Sequence, residues 1–122
     1  MKVTEILQVL SDSTRLRMLR LLGQAELSVA ELQEILEMGQ SRISSHLSLL
    51  RRYEMVADRK EGKKTFYALH LGDSKHFELV RLALETDSDE EFWETDQSAL
   101  QRIIEGRRRA SEQYFDEVLC YQ

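Results

Sequence analysis

The chain has 122 residues and a mass of 14.3 kDa, with 42% apolar and 32% charged residues, a composition for one small domain, with or without an appendage, rather than a disordered tail. No apolar run exceeds four residues (Phe66 to Leu69, Val118 to Tyr121), which excludes a membrane-spanning helix of about 20 apolar residues. The formal charge of −5 conceals a division: residues 1–72 carry 11 basic and 9 acidic side chains, residues 73–122 carry 6 and 13, and the segment 40–66 alone carries 7 against 3, so a polyanionic partner is compatible with an acidic total.

There is no proline and there are five glycines, which favours long uninterrupted helices with glycine as the punctuation. Val3, Ile6, Leu7 and Leu10 have helical spacing over residues 3–10. Leu16, Leu19 and Leu22 predict a second helix over 13–22, with Ser11 or Asp12 able to cap it. Ser28 and Glu31 have the spacing of a capping box, and Leu27 and Leu32 stand at the two staple positions, so a third helix is expected to about Leu36. Glu37-Met38-Gly39 reads as a short turn. Ile43, Leu47 and Leu50 then share one face of a fourth helix over 40–53.

The period changes after that helix. Met55 to Lys60 and Lys64 to His70 are short β-type runs around Glu61-Gly62-Lys63, a predicted hairpin. Beyond Gly72 the helical period returns, first through Phe77, Val80 and Leu84, then in a longer helix from Leu100 to Tyr121. The order predicts an α+β, mainly α fold: a helix-turn-helix, a two-stranded β-hairpin wing and extra C-terminal helices. Residues 1–72 form the winged helix-turn-helix, and residues 73–122 a helical dimerisation or connector segment.

The fourth helix is unusual in carrying Ser41, Ser44, Ser45 and Ser48 opposite its apolar stripe, where a purely structural helix favours Glu, Lys or Ala. Short hydroxyl side chains let a backbone press into a DNA major groove, which is about as wide as a helix. Gln40, Ser41, Arg42, Ser44, Ser45 and His46 offer donors and acceptors to base edges and phosphates; glutamine pairs with adenine and arginine with guanine. A solvated polar face would use the same residues harmlessly. Arg59, Lys60, Lys63 and Lys64 around the hairpin tip suit the phosphate backbone. Charged tips also serve solubility alone, and it is the combination that specifies a winged DNA-binding unit.

Residues 3–72 resemble the ArsR/SmtB winged-helix transcriptional regulators. The likeness is carried by Leu10-Ser11-Asp12-Ser13-Thr14-Arg15-Leu16-Arg17-Met18-Leu19, by Leu27-Ser28-Val29-Ala30-Glu31-Leu32, by the stretch Gln40 to Arg51 and by the wing Asp58 to Leu69. Ser13 replaces the proline usual before the Thr-Arg pair. The resemblance implies a homodimer joined through the first helix and the helix after the wing, acting as a repressor on an inverted repeat of double-stranded DNA. In that pattern Arg15 is a packing and helix-tethering residue rather than a DNA contact. His46 has two readings, a phosphate contact or closure of the helix-turn-helix core.

Members of this family often sense metals. Ser28 and Ala30 stand where thiolates would be needed in the third helix, and neither binds a soft metal. After the wing, Asp73 and His76 have the wrong spacing, and His70 lies across an element boundary, so no metal site is expected. No cofactor is expected either: the chain has no Gly-rich phosphate loop, no HExxH and no nucleophile motif, hence no enzymatic activity. Cys120 excludes an intrachain disulfide, and with no signal-peptide core at Met1 to Glu5 the expected location is the cytoplasm. The acidic run Asp87 to Glu94 reads as a loop and helix start, capped by Ser88 and Glu91, with Phe92 and Trp93 anchoring it to the dimer. In the last helix Leu100, Ile104, Ser111, Tyr114, Phe115 and Val118 form a stripe suited to a dimer brace. Residues 109–118 also resemble the connector that precedes the catalytic domain in fusions of this regulator type to an S-adenosylmethionine-dependent methyltransferase. That likeness implies an alternative role as the N-terminal module of such a fusion. It also motivates a small-molecule effector from the methyl cycle, S-adenosylhomocysteine.

Overall fold

The computed structural model describes residues 2–86 and 90–120, leaving aside the side chains of Glu90 and of residues 115–120. Helix α1 (Val3–Leu10) ends where the Ser11 hydroxyl donates to the Gln8 carbonyl at 2.7 Å. Asp12 then caps α2 (Ser13–Leu22), accepting the Arg15 N–H at 3.1 Å, so of the two candidate caps it is the aspartate that acts. The capping box forms as expected: Ser28 N–H donates to Glu31 Oε1 at 2.9 Å and Glu31 N–H to Ser28 Oγ at 3.2 Å, opening α3 (Val29–Leu36). Helix α4 (Gln40–Arg52) follows Gly39.

The wing is three-stranded rather than a bare hairpin. Strands β2 (Val56–Glu61) and β3 (Lys64–Leu69) pair antiparallel, and β1 (Leu27–Ser28) adds to the other edge of β3, with Leu27 opposite Tyr67 and Ser28 opposite Phe66. Two residues that also cap a helix carry no strand periodicity, which is why β1 is invisible in the pattern. Gly62 opens the two-residue tip at φ 61°, the left-handed backbone that a hairpin of this length demands.

After the wing come α5 (Lys75–Glu85), a single 3-10 turn (Glu90–Phe92) and α6 (Trp93–Cys120), which at 28 residues is about 42 Å long. Helix α6 begins seven residues before the expected Leu100. Its first two turns, Trp93 to Leu100, are too polar to show an apolar stripe, yet Asp96, Ala99 and Leu100 are buried. The anchor is an ion pair: Arg17 holds Asp96 through two bonds of 2.9 and 2.8 Å. The Phe92 ring lies 4.0 Å beneath the same guanidinium. Ser88, the expected cap of this segment, lies outside the described residues, as do the side chains of Phe115, Val118 and Cys120.

Ile6, Met18, Leu19, Leu21, Leu27, Leu32, Ile43, Leu47, Leu50, Met55 and Val80 fill the centre, and Phe77, Ala99 and Leu100 from the post-wing helices join the same core. Burial on this scale is the main favourable contribution to folding. It also fixes the azimuth of α4: with Ile43, Leu47 and Leu50 turned inward, the serine face must point to solvent.

Candidate nucleic-acid interface

Helix α3 stops at Glu37, which takes the left-handed conformation (φ 53°, ψ 47°) and donates its N–H back to the Gln33 carbonyl at 2.8 Å. Met38 and Gly39 complete the turn, and α4 leaves with its outer face clear. Gln40, Ser41, Arg42, Ser45 and Ser48 are exposed, while Ser44 and His46 are half-buried on its flanks. Ser44, Ser45, Ser48, Leu49 and Arg52 line a shallow concavity along the helix. Arg52 is absent from the residues singled out in the sequence. Its signal was available, since it stands one turn beyond Ser48 on the same face.

His46 lies near the charges of Asp12, Arg15 and Arg42. Burial, together with the two guanidiniums, holds its imidazole below the ordinary value despite the attraction of Asp12. The ring is therefore mainly neutral at pH 7. Arg15 is committed inward, as the sequence pattern implied. Its Nε donates to the Val9 carbonyl at 2.7 Å and its Nη2 to the Gln8 carbonyl at 3.1 Å, tying α2 to the end of α1.

The wing presents its cations unequally. Lys60, Lys63 and Lys64 are exposed and form no ion pair among the described residues, and the same holds for Arg42 on α4. Arg59 instead bridges Glu26 and Glu61, each at 2.8 Å, and stacks over Phe66 at 5.0 Å. The two carboxylates hold its guanidinium protonated still more firmly than usual, but they also draw it back from any phosphate. Arg51 joins α4 to β2 through Asp58 at 3.1 Å, so the reading helix and the wing are braced to one another. No group of three or more metal-ligating side chains occurs among the described residues.

The chain thus presents a helix-turn-helix with a polar, exposed second helix and a cationic wing joined to it. The profile of the bacterial regulatory protein, arsR family, matches residues 12–58, the span from the α2 cap into β2. The arsenical resistance operon repressor of Escherichia coli is 34% identical over 106 residues, covering 86% of this chain and 84% of the repressor. The chain belongs to the ArsR family. The transcriptional activator HlyU of Vibrio cholerae is 43% identical over 68 residues, which are 56% of this ArsR-family chain and 63% of HlyU. That match therefore spans less than two thirds of the activator. A solution structure described as the homodimeric winged helix-turn-helix DNA-binding domain of a Mycobacterium bovis protein superimposes with a TM-score of 0.56 at 26% identity, covering 66% of this chain and 70% of that one. No helix among the described residues is long and apolar enough to cross a membrane.

Proposed function

We propose that the protein is a sequence-specific DNA-binding transcriptional regulator, a cytoplasmic homodimer that represses from an inverted repeat. The observation that carries this reading is the α4 face. Its core-pinned azimuth leaves Gln40, Ser41, Arg42, Ser45 and Ser48 open, as the exposed lysines of the wing are. Arg42 and Gln40 read base edges, Ser41, Ser44 and Ser45 allow close approach, and His46 contributes a neutral hydrogen bond at the flank. Lys60, Lys63 and Lys64 hold phosphates, with Arg59 a lesser contributor while it is paired to Glu26 and Glu61.

Functionally, residues 1–72 contact DNA and residues 73–122 supply the dimerising helices. Support for a dimer comes from α1 and α5, which pack together and leave Val3, Leu7, Leu79 and Leu82 exposed on their outer sides, and from Ile104 and Tyr114 on α6. The Mycobacterium bovis domain is homodimeric, and the Escherichia coli relative is a repressor, which gives the sign proposed here. The alternative, an N-terminal module of a methyltransferase, rests on residues 109–118 alone. A helical backbone there suits a connector and a dimer brace equally, so the regulator is the reading put forward. Nothing in the structure singles out S-adenosylhomocysteine. Selection of bound duplexes from a random pool at physiological salt tests the proposal. An enriched inverted repeat with half-sites one or two helical turns apart is the expected outcome, and salt-sensitive binding without sequence enrichment would overturn it.

A further inference from the structure

Away from the proposed DNA face, α2, the end of β3, α5 and the start of α6 line an open cleft of about 480 Å³, within the range of small-molecule sites. Five of its lining side chains are apolar: Leu19, Leu69, Leu71, Leu84 and Trp93. Gly23 forms part of the wall. Its φ of −74° does not require glycine, but a Cβ there would meet Leu69 Cδ2 at 3.2 Å. The missing side chain thus leaves room where the walls converge.

The polar lining is built around cations. Arg20 is engaged with backbone, donating to the Thr86 carbonyl at 3.0 Å and, more weakly, to those of Leu84 and Ala83. Arg81 is half-buried, and its Nη2 donates to the Gly72 carbonyl at 2.7 Å and to that of Leu71 at 3.4 Å. Among the described residues its Nε and Nη1 have no partner, and no carboxylate pairs with it. Glu85, one turn on, also lines the cavity but does not reach ion-pair distance. A half-buried guanidinium with donors to spare and no ion pair among the described residues suits an anion. The one monovalent guanidinium of Arg81 and the like charge of Glu85 disfavour a dianion, and the leucine and tryptophan walls favour a hydrocarbon body.

We propose that this cavity binds a small apolar monocarboxylate, its carboxylate paired with the Arg81 guanidinium and its body lying against Leu19, Leu69, Leu71, Leu84 and Trp93. Its regulatory meaning rests on the DNA-binding reading, because the cavity joins the wing strand β3 to α5. Binding itself does not, and is measured without DNA.

Trp93 is the only tryptophan in the chain and lines the site, so its fluorescence reports occupancy. The full-length protein is titrated with octanoate below its micellar range, with octanol as the neutral control. A saturable change with octanoate and none with octanol is expected, and Arg81→Gln should weaken binding by about tenfold or more, as loss of a charge-assisted contact implies. Because Arg81 also holds two carbonyls, Glu85→Gln is the second variant; removal of the like charge should tighten octanoate binding by about threefold. No saturable response, equal response to octanol, or unchanged affinity in Glu85→Gln overturns the proposal. Failure of duplex selection alone leaves this titration unaffected, so the two readings fail separately.

Discussion

Glu37 sits at φ 53° and ψ 47° in the turn between the two helices of the DNA-reading pair, a backbone region that costs a residue with a Cβ and suits glycine. Its side chain is exposed, so nothing in the core depends on it. Glu37→Gly should raise stability by about 0.5–1 kcal/mol in denaturant melts, the release of strain exceeding the added freedom of the unfolded chain. The proposed roles of Arg42 and Lys63 on DNA differ in what their loss should do. Arg42→Ala should cost about 1–3 kcal/mol and relax preference at a single base position. Lys63→Ala should weaken every sequence alike and flatten the plot of log affinity against log salt by roughly 0.9. Equal behaviour of the two across a panel of operators would contradict the assignment. His46 makes stability depend on pH. Its pKa is lowered on folding from the ordinary 6.5, so below that value the unfolded chain binds more protons and the native state loses stability as pH falls. Melts of His46→Gln and the parent protein between pH 7.5 and about pH 5 should converge at the upper end and diverge at the lower.

At the scale of elements, α6 is held by ion pairs at both ends of its packed stretch. Asp96 is buried and its partner Arg17 lies under α6 with Phe92 against it. Arg17→Ala would leave the carboxylate without a counter-ion, and a loss of about 3–5 kcal/mol follows, larger than for Arg17→Ala/Asp96→Ala together. Further along, Arg107 bonds Glu31 and donates to the Glu26 carbonyl at 2.9 Å. Burial would raise the Glu31 carboxyl, but the Ser28 N–H and Arg107 together bring it below the ordinary value. None of these pairs was legible in the sequence. Partners 76 or 79 residues apart have no local signature, and the polar start of α6 hid both the anchor and the true helix start. The β2–β3 hairpin, the capping box and the α4 stripe were legible because each depends on spacing within a short stretch of chain. The exposure of the candidate residues on α4 follows from the azimuth set by Ile43, Leu47 and Leu50. Arg59 could not be judged so, since its diversion to Glu26 depends on β1, a strand too short to leave a pattern.

For the whole molecule, the exposed apolar side chains of α1 and α5 mark where a second copy would sit. Leu82 is 62% exposed, so replacing it by glutamate costs the monomer little while placing a charge in the proposed interface. Sedimentation of Leu82→Glu should show a 14.3 kDa monomer, and operator affinity should fall by at least about tenfold as the second half-site is lost. A dimer that persists in this variant would move the interface elsewhere.

The strand β1 has a mechanical meaning at this scale. Leu27 and Ser28 stitch the wing to the first residues of α3, and Arg51 and Asp58 rivet α4 to β2. Helix pair and ribbon are thus tied at two points, along β1 and across α4 and β2. In the proposed dimer each copy would bring its helix pair and ribbon as one joined piece. Two such pieces would resemble the jaws of a caliper, each keeping its own shape while the gap between them sets the fit to the helical repeat of DNA.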